Sequence, residues 1–346
     1  MIPATSHDMH SHKNPPPNVR RRDFIRTGAQ AVAGAVAAAS LAGNESMLAA
    51  PNSTGETPAL ATRETMPTGM IGKVKLSRML LGGNLVGGWM HCRDLKYVGA
   101  LFRAYVTEEK MLQTFHLAEQ QGINTVFETG ADFVKKYNEQ YNGRLQFIPH
   151  IKVTAEQTEA ELKDHLKELV DTGAVALYVW GVSSDRLMED GAGSKLGKAV
   201  EIAKSTGLPI GVGTHSLQVP KFCEKEQVPC DFYVKTLHSD NYPSATPKAL
   251  RKDFMWQNND PIFYDNMWCI DPEETIAFMK SVTKPWIAFK VLAAGAIYPR
   301  DAFPIAFKNG ADFIAVGMFD FQIKENSDLL RKVVRLCQNR ERPWRA

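Results

Sequence analysis

The chain has 346 residues, 44% hydrophobic and 23% charged, an ordinary globular composition long enough for one large domain or two small ones. A net charge of +3 implies no basic face, so nucleic acid is not an expected partner. The five cysteines, Cys92, Cys223, Cys230, Cys269 and Cys337, form no C-x-x-C pair, which excludes a zinc knuckle and a dithiol motif and leaves at least one thiol unpaired.

Residues 1–19 carry His, Pro and Asn without periodicity. The next stretch, "RRRDFIRTGAQAVAGAVAAASLAG", sets a positive cluster before a weakly apolar run rich in Ala and Gly. Arg21-Arg22-Asp23-Phe24-Ile25-Arg26 follows the order of two arginines, any residue, Phe, an aliphatic and a basic residue, and so resembles a twin-arginine export signal. The run from Ala29 to Ala42 is too short and too poor in Leu and Ile to span a bilayer, so no permanent membrane anchor is expected. The expected organisation is a signal peptide over 1–50, a flexible linker over 51–70 and a folded domain over 71–346. This implies the twin-arginine machinery as a partner and a periplasmic or otherwise extracytoplasmic location. Substrates of that route are generally folded before export, and free nicotinamide nucleotide is not supplied outside the cytoplasm. Any such cofactor would have to be tightly held.

From Ser77 onward short β-rich runs alternate with amphipathic segments. The expected strands are 78–83, 124–129, 146–153, 175–181, 209–215, 231–238, 286–295 and 312–318. Helices lie between them. "EEKMLQTFHLAEQQG" puts Met111, Leu112, Phe115 and Ala118 on one face and stops at Gly122, and "AEQTEAELKDHLKELVDTG" does the same with Leu162, Leu166, Leu169 and Val170 before Gly173. "DPEETIAFMKSV" opens with Asp271 as N-cap, Pro272 at the first helical position and Glu274 at the capping-box position. Eight such units predict an α/β fold, a single (β/α)8 TIM barrel, and no G-x-G-x-x-G follows the first strand to favour an open sheet.

In such a barrel the βα loops at the strands' C-terminal ends form the site. The strand exits collect Asn84, Glu128, His150 with Lys152, His215, His238 and Lys290. His150 and Lys152 are two apart, so alternation sends both to the same side. Lys235 and Lys290 fall within strand patterns, where a lysine is costly unless it meets a partner or ligand or snorkels outward beneath a helix. Two long segments, 84–107 and 239–270, leave strand ends carrying Trp, Tyr, Phe, Asn and Asp, a composition suited to a lid that stacks on sugar rings or to an oligomer contact.

Over the whole barrel the chain resembles the aldo-keto reductases. "KVKLSRMLLGGN" is similar to the family's opening strand, "AEQQGINTVFETGADF" to its second helix-to-strand passage, "WIAFKVLAAGAI" to the seventh-strand segment beside the nicotinamide, and "VGMFDFQIKENSDLL" to its final loop and helix. The resemblance implies hydride transfer between a tightly bound NAD(P) and a sugar-like carbonyl or alcohol, with Tyr as general acid assisted by Lys, Asp and His. By position Glu128 takes the place of the Asp and Lys152 that of the Lys, while Phe133 stands where the tyrosine belongs and Gly181 where the histidine belongs. Lys290-Val291 replaces the family's Ser-Pro, and Phe319 stands where an arginine often grips the adenosine phosphate. The implied site is Glu128, Lys152 and Lys290 as catalytic groups, with Asn84, His91, His150, Trp180, His215 and Gly317 binding substrate or cofactor.

Loss of a positioned general acid removes roughly 10²–10⁴ in rate. Three readings follow. Another group, with Tyr137, Tyr141, Tyr178 and Tyr242 as the nearby tyrosines, restores proton donation to an oxidoreductase. Alternatively Glu128, His150, His215 and His238 hold a divalent metal, or Lys235 or Lys290 forms a Schiff base, in a sugar isomerase, epimerase or lyase. In the third, the barrel binds a ligand without catalysis.

Overall fold

The computed structural model describes residues 65–92, 95–252 and 267–346, all within one compact unit, Arg63–Ala346. Eight parallel strands close a barrel in sequence order: β3 (Met79–Gly82), β4 (Thr125–Glu128), β5 (Gln146–Ile151), β6 (Leu177–Val179), β7 (Ile210–Thr214), β8 (Phe232–Thr236), β9 (Trp286–Phe289) and β10 (Phe313–Val316). Strand β10 pairs back onto β3, with Ile314 opposite Met79, and helices separate successive strands in the (β/α)8 manner. Each strand falls inside a segment expected from the sequence. The Asp271 cap is realised, accepting from the Glu274 N–H at 2.8 Å at the start of Pro272–Ser281, but the Glu274 side chain pairs with Lys221 instead of closing a capping box. In Glu159–Asp171, Leu162 and Leu166 are buried while Val170 is exposed, and Thr158 with Glu161 forms a capping box that was not expected.

An antiparallel hairpin, β1 (Thr68–Ile71) and β2 (Val74–Ser77), precedes the barrel and was not anticipated. Its first strand straddles the boundary drawn at 70/71. Ile71 and Leu76 are fully buried in the same cluster as the inward residue Leu80, so the hairpin closes the bottom of the barrel.

Alternation divides the strand residues into two cores. Leu80, Phe127, Ile148, Ala176, Tyr178, Phe232, Val234, Ile287 and Phe313 form the inner cluster, while neighbours such as Leu81, Val126, Leu177, Tyr233 and Trp286 pack in the outer layer. The interior is unusually aromatic, and two inward glycines on β7 make room for it. A Cβ on Gly211 would stand 2.4 Å from the Phe232 ring, and one on Gly213 would stand 3.0 Å from Tyr178. Gly211→Ala should therefore overpack the barrel and cost about 1–3 kcal/mol, read as a lowered urea midpoint with an unchanged m-value. No change in midpoint would show that Phe232 has another place to go.

At the bottom, a buried ionic cluster fastens the tail. Asp312 accepts from Arg340 and Arg342, each at 2.8 Å, with both ion pairs shut off from solvent. The Trp344 ring lies between Arg340, 3.6 Å from its centroid, and Arg78, at 4.2 Å. Arg78 also donates to the Asp312 carbonyl at 2.9 Å, and burial lowers its pKa to about 10.

Candidate functional site

At the C-terminal ends of the strands lies a cavity of about 250 Å³ lined by residues including Asn84, His91, Glu128, Trp268, Lys290 and Gly317. Glu128 and Lys290 reach it by the same device. Each follows an inward phenylalanine, Phe127 and Phe289, so regular alternation would send both outward. Each instead has left-handed backbone, with φ of 85° at Glu128 and 57° at Lys290, which breaks the alternation and brings both to the cavity. Non-glycine residues adopt this conformation at a cost of order 1–3 kcal/mol and tend to do so at functional sites.

Glu128 Oε1 accepts from Trp180 Nε1 at 3.2 Å, and the Trp180 ring stacks on His150 with centroids 5.2 Å apart. Burial raises the Glu128 pKa above the ordinary carboxyl value, opposed by the Lys290 charge and by the Trp180 hydrogen bond. Lys290 Nζ lies 2.7 Å from His91 Nε2 and 4.2 Å from the Trp268 ring centroid. The cavity thus sets a carboxyl whose pKa burial raises against an ammonium held over an aromatic face. Asn84 enters it from the first position of the short helix Asn84–Gly87, and at Gly317 a Cβ would meet nothing within 4 Å.

Other sequence-derived positions sit elsewhere. Strand β5 ends at Ile151, so the alternation that would carry Lys152 beside His150 lapses one residue early. Lys152 is exposed, does not line the cavity, and its N–H donates to His165 Nε2 at 3.3 Å. His238 is committed to backbone through both nitrogens: Nδ1 donates to the Ser239 carbonyl at 2.9 Å, and Nε2 accepts from the N–H groups of Trp268 and Cys269 at 3.0 and 2.9 Å. Its work is to hold Trp268 beneath Lys290. Among the described residues no three His, Cys, Asp or Glu side chains are grouped to hold a metal ion, and of Glu128, His150, His215 and His238 only Glu128 lines the cavity. Lys235, buried and on the outward register with Tyr233, donates to the Thr236 carbonyl at 3.1 Å and hydroxyl at 2.8 Å.

His215 belongs to a buried dyad that the sequence did not reveal. Asp185, in the helix Gly181–Glu189, accepts from His215 Nδ1 at 2.7 Å and from the His215 and Ser216 N–H groups at 2.9 and 3.0 Å. A carboxylate cannot donate, so Nδ1 carries the proton and Nε2 the lone pair. The ring lies against Gly181, where a Cβ would stand 3.3 Å from its Cε1. Of the four tyrosines considered as proton donors, Tyr178 belongs to the inner cluster, stacked on Phe127 at 4.8 Å, while Tyr137 donates to Glu119 between helices, Tyr141 is exposed and Tyr242 packs near His238. The segments read as a lid are partly described: Lys96–Tyr105 is a helix whose Phe102 lines the cavity, whereas 93–94 and 253–266 lie outside the described residues.

Burial lowers the pKa of His150, His215 and His238 to about 4 each. Unfolding restores the ordinary value near 6.5, so between pH 6.5 and about 4 the unfolded chain binds more protons and stability falls as pH falls. The slope approaches about 1.4 kcal/mol per pH unit for each of the three histidines. Glu128, whose pKa is raised, runs the other way and loses stability as pH rises through its folded pKa. Urea midpoints at pH 7 and pH 5 test the balance, and equal midpoints would contradict it.

No known family profile matches the chain, and no curated protein matches it. Among solved structures it is similar to two records of proposed aldo-keto reductases from Pseudomonas aeruginosa. The first is 12% identical with a TM-score of 0.53, and the second 13% identical with 0.51; each alignment covers 79% of this chain and 98% of the other. A truncated 3-deoxy-D-arabino-heptulosonate 7-phosphate synthase from Thermotoga maritima aligns at 9% identity and a TM-score of 0.43, covering 81% of this chain and 95% of its own. At these identities the likeness shows the barrel fold alone. No helix among the described residues is long and apolar enough to cross a membrane.

Proposed function

We propose that this barrel is an enzyme that moves protons on a small polar carbonyl compound of sugar or polyol type, as an isomerase, epimerase or lyase. The observation that carries the reading is the pair of left-handed strand-end residues, Glu128 and Lys290, brought to one cavity. A carboxyl whose pKa is raised can donate a proton to a carbonyl oxygen in its neutral form and remove one from the adjacent carbon in its ionised form. The Lys290 ammonium stabilises the negative charge that develops on oxygen. Phe127 and Phe289 supply apolar faces for a sugar ring's carbon side, and the Asn84 amide a partner for its hydroxyls.

Hydride transfer from NAD(P) is the competing chemistry. Lys290 is the one Lys or Arg among the described residues that line the cavity, and Asp320, paired with Lys110 at 2.9 Å, adds a carboxylate beside the lining residue Phe319. These residues fit a dinucleotide pyrophosphate poorly. The Arg21-Arg22 segment lies outside the described residues, and we propose from its sequence alone that the enzyme is exported by the twin-arginine route.

The test is proton NMR in D₂O with a panel of aldoses and ketoses. Deuterium should enter at the carbon beside the carbonyl in the presence of the protein. No exchange from any member of the panel, together with stoichiometric nicotinamide released from the purified protein, would overturn the proton-transfer reading.

A further inference from the structure

We infer that Lys290 is a covalent catalyst whose amine forms an imine with the carbonyl carbon of the substrate. The inference rests on the proton-transfer reading and goes beyond it, since acid–base chemistry alone requires only the charge of Lys290.

Three features single out this lysine. It lines the cavity from left-handed backbone, whereas Lys235, on β8, is buried on the outward register and bonded to Thr236. His91 Nε2, 2.7 Å from Nζ, is a proton acceptor in contact with the amine. The Trp268 face at 4.2 Å favours positive charge on that nitrogen, and the charge persists in the iminium product, so the ring stabilises both ends of the reaction. A point charge meant only to steady an oxyanion has no need of a base against its own nitrogen.

The steps balance with the groups present. The Lys290 ammonium passes one proton to His91 and becomes a nucleophile. Nζ attacks the carbonyl carbon, a C–N bond forms, and the carbonyl oxygen takes the Glu128 proton. The nitrogen returns one proton to Glu128, which passes it to the hydroxyl; the C–O bond breaks and water leaves. The products are a Lys290 iminium, protonated His91, ionised Glu128 and water, with the same total charge as at the start. Ionised Glu128 then stands ready to remove a proton from the carbon next to the iminium, and the iminium accepts the electron pair. That is the proton transfer of the preceding reading, now with a covalent electron sink.

The test is borohydride reduction of the full-length protein in the presence of dihydroxyacetone, glycolaldehyde or pyruvate, followed by peptide mass spectrometry. The expected result is a reduced adduct on Lys290 enriched over the exposed Lys167 and Lys324, lost in Lys290→Arg, with far-UV circular dichroism confirming that the variant folds. Solvent exchange should fall by about 10² or more in the same variant. No enrichment at Lys290 with any of the three probes, or undiminished exchange in Lys290→Arg, would overturn the imine. Exchange by the unaltered protein without an adduct leaves the acid–base reading standing while the imine falls; an adduct without exchange does the reverse.

Discussion

Glu128→Gln should lower solvent-exchange turnover by roughly 10²–10⁴-fold, the usual contribution of a positioned proton-transfer group. The glutamine amide has nearly the same shape and its oxygen can still accept from Trp180 Nε1, so neither the cavity nor the left-handed backbone at position 128 has reason to change. What disappears is the proton. The pH profile supplies the second arm of the experiment. Burial raises the Glu128 pKa, and the Trp180 hydrogen bond opposes the rise by favouring the ionised form. Trp180→Phe removes that opposition, so the limb of the profile governed by Glu128 should move to higher pH. An unchanged rate in Glu128→Gln, with unchanged circular dichroism, would remove the residue from the chemistry.

Asp312→Ala should destabilise the barrel by about 3–5 kcal/mol, the range for removing one partner of a buried ion pair. The carboxylate meets Arg340 and Arg342 at 2.8 Å each, accepts from the Trp286 N–H at 3.0 Å and from the Arg345 N–H at 2.8 Å, and is fully buried. Alanine would strand two guanidinium groups where no water replaces the lost acceptor. The cluster joins the bottom of β10 to the tail and, through the Asp312 carbonyl and Arg78, to the bottom of β3. The loss should therefore appear as a lowered global unfolding midpoint. A change below about 1 kcal/mol would mean that solvent reaches the arginines more readily than their burial indicates.

The fold was legible because each barrel strand is a short β-rich run buried on both faces, and because a cap such as Asp271 acts locally. The hairpin escaped because its strands are four residues each and their burial comes from covering the barrel's open bottom, a tertiary fact. Within the site, Glu128 and Lys290 were found as strand-exit charges, but strict alternation predicts the wrong side for both; positive φ at a non-glycine residue leaves no mark in sequence. The same reasoning misplaced Lys152, because a strand's last residue is decided by its partner strand. His238 could be read either as a ligand or as a backbone hydrogen-bonding group, and its contacts are those of the second. Asp185 gave no signal, since a carboxylate in an amphipathic helix reads as surface until its acceptors are seen to be filled from the neighbouring strand's end.

The left-handed backbone at 128 and 290 also sets a hazard for anyone engineering this barrel. Both are positions where glycine relieves an L-residue of about 1–2 kcal/mol of steric cost. A thermostability screen that scores only survival on heating will drift toward glycine at these two places and return a sturdier molecule with its carboxyl and amine erased. Screens on this scaffold should hold the two positions fixed and seek their gains elsewhere.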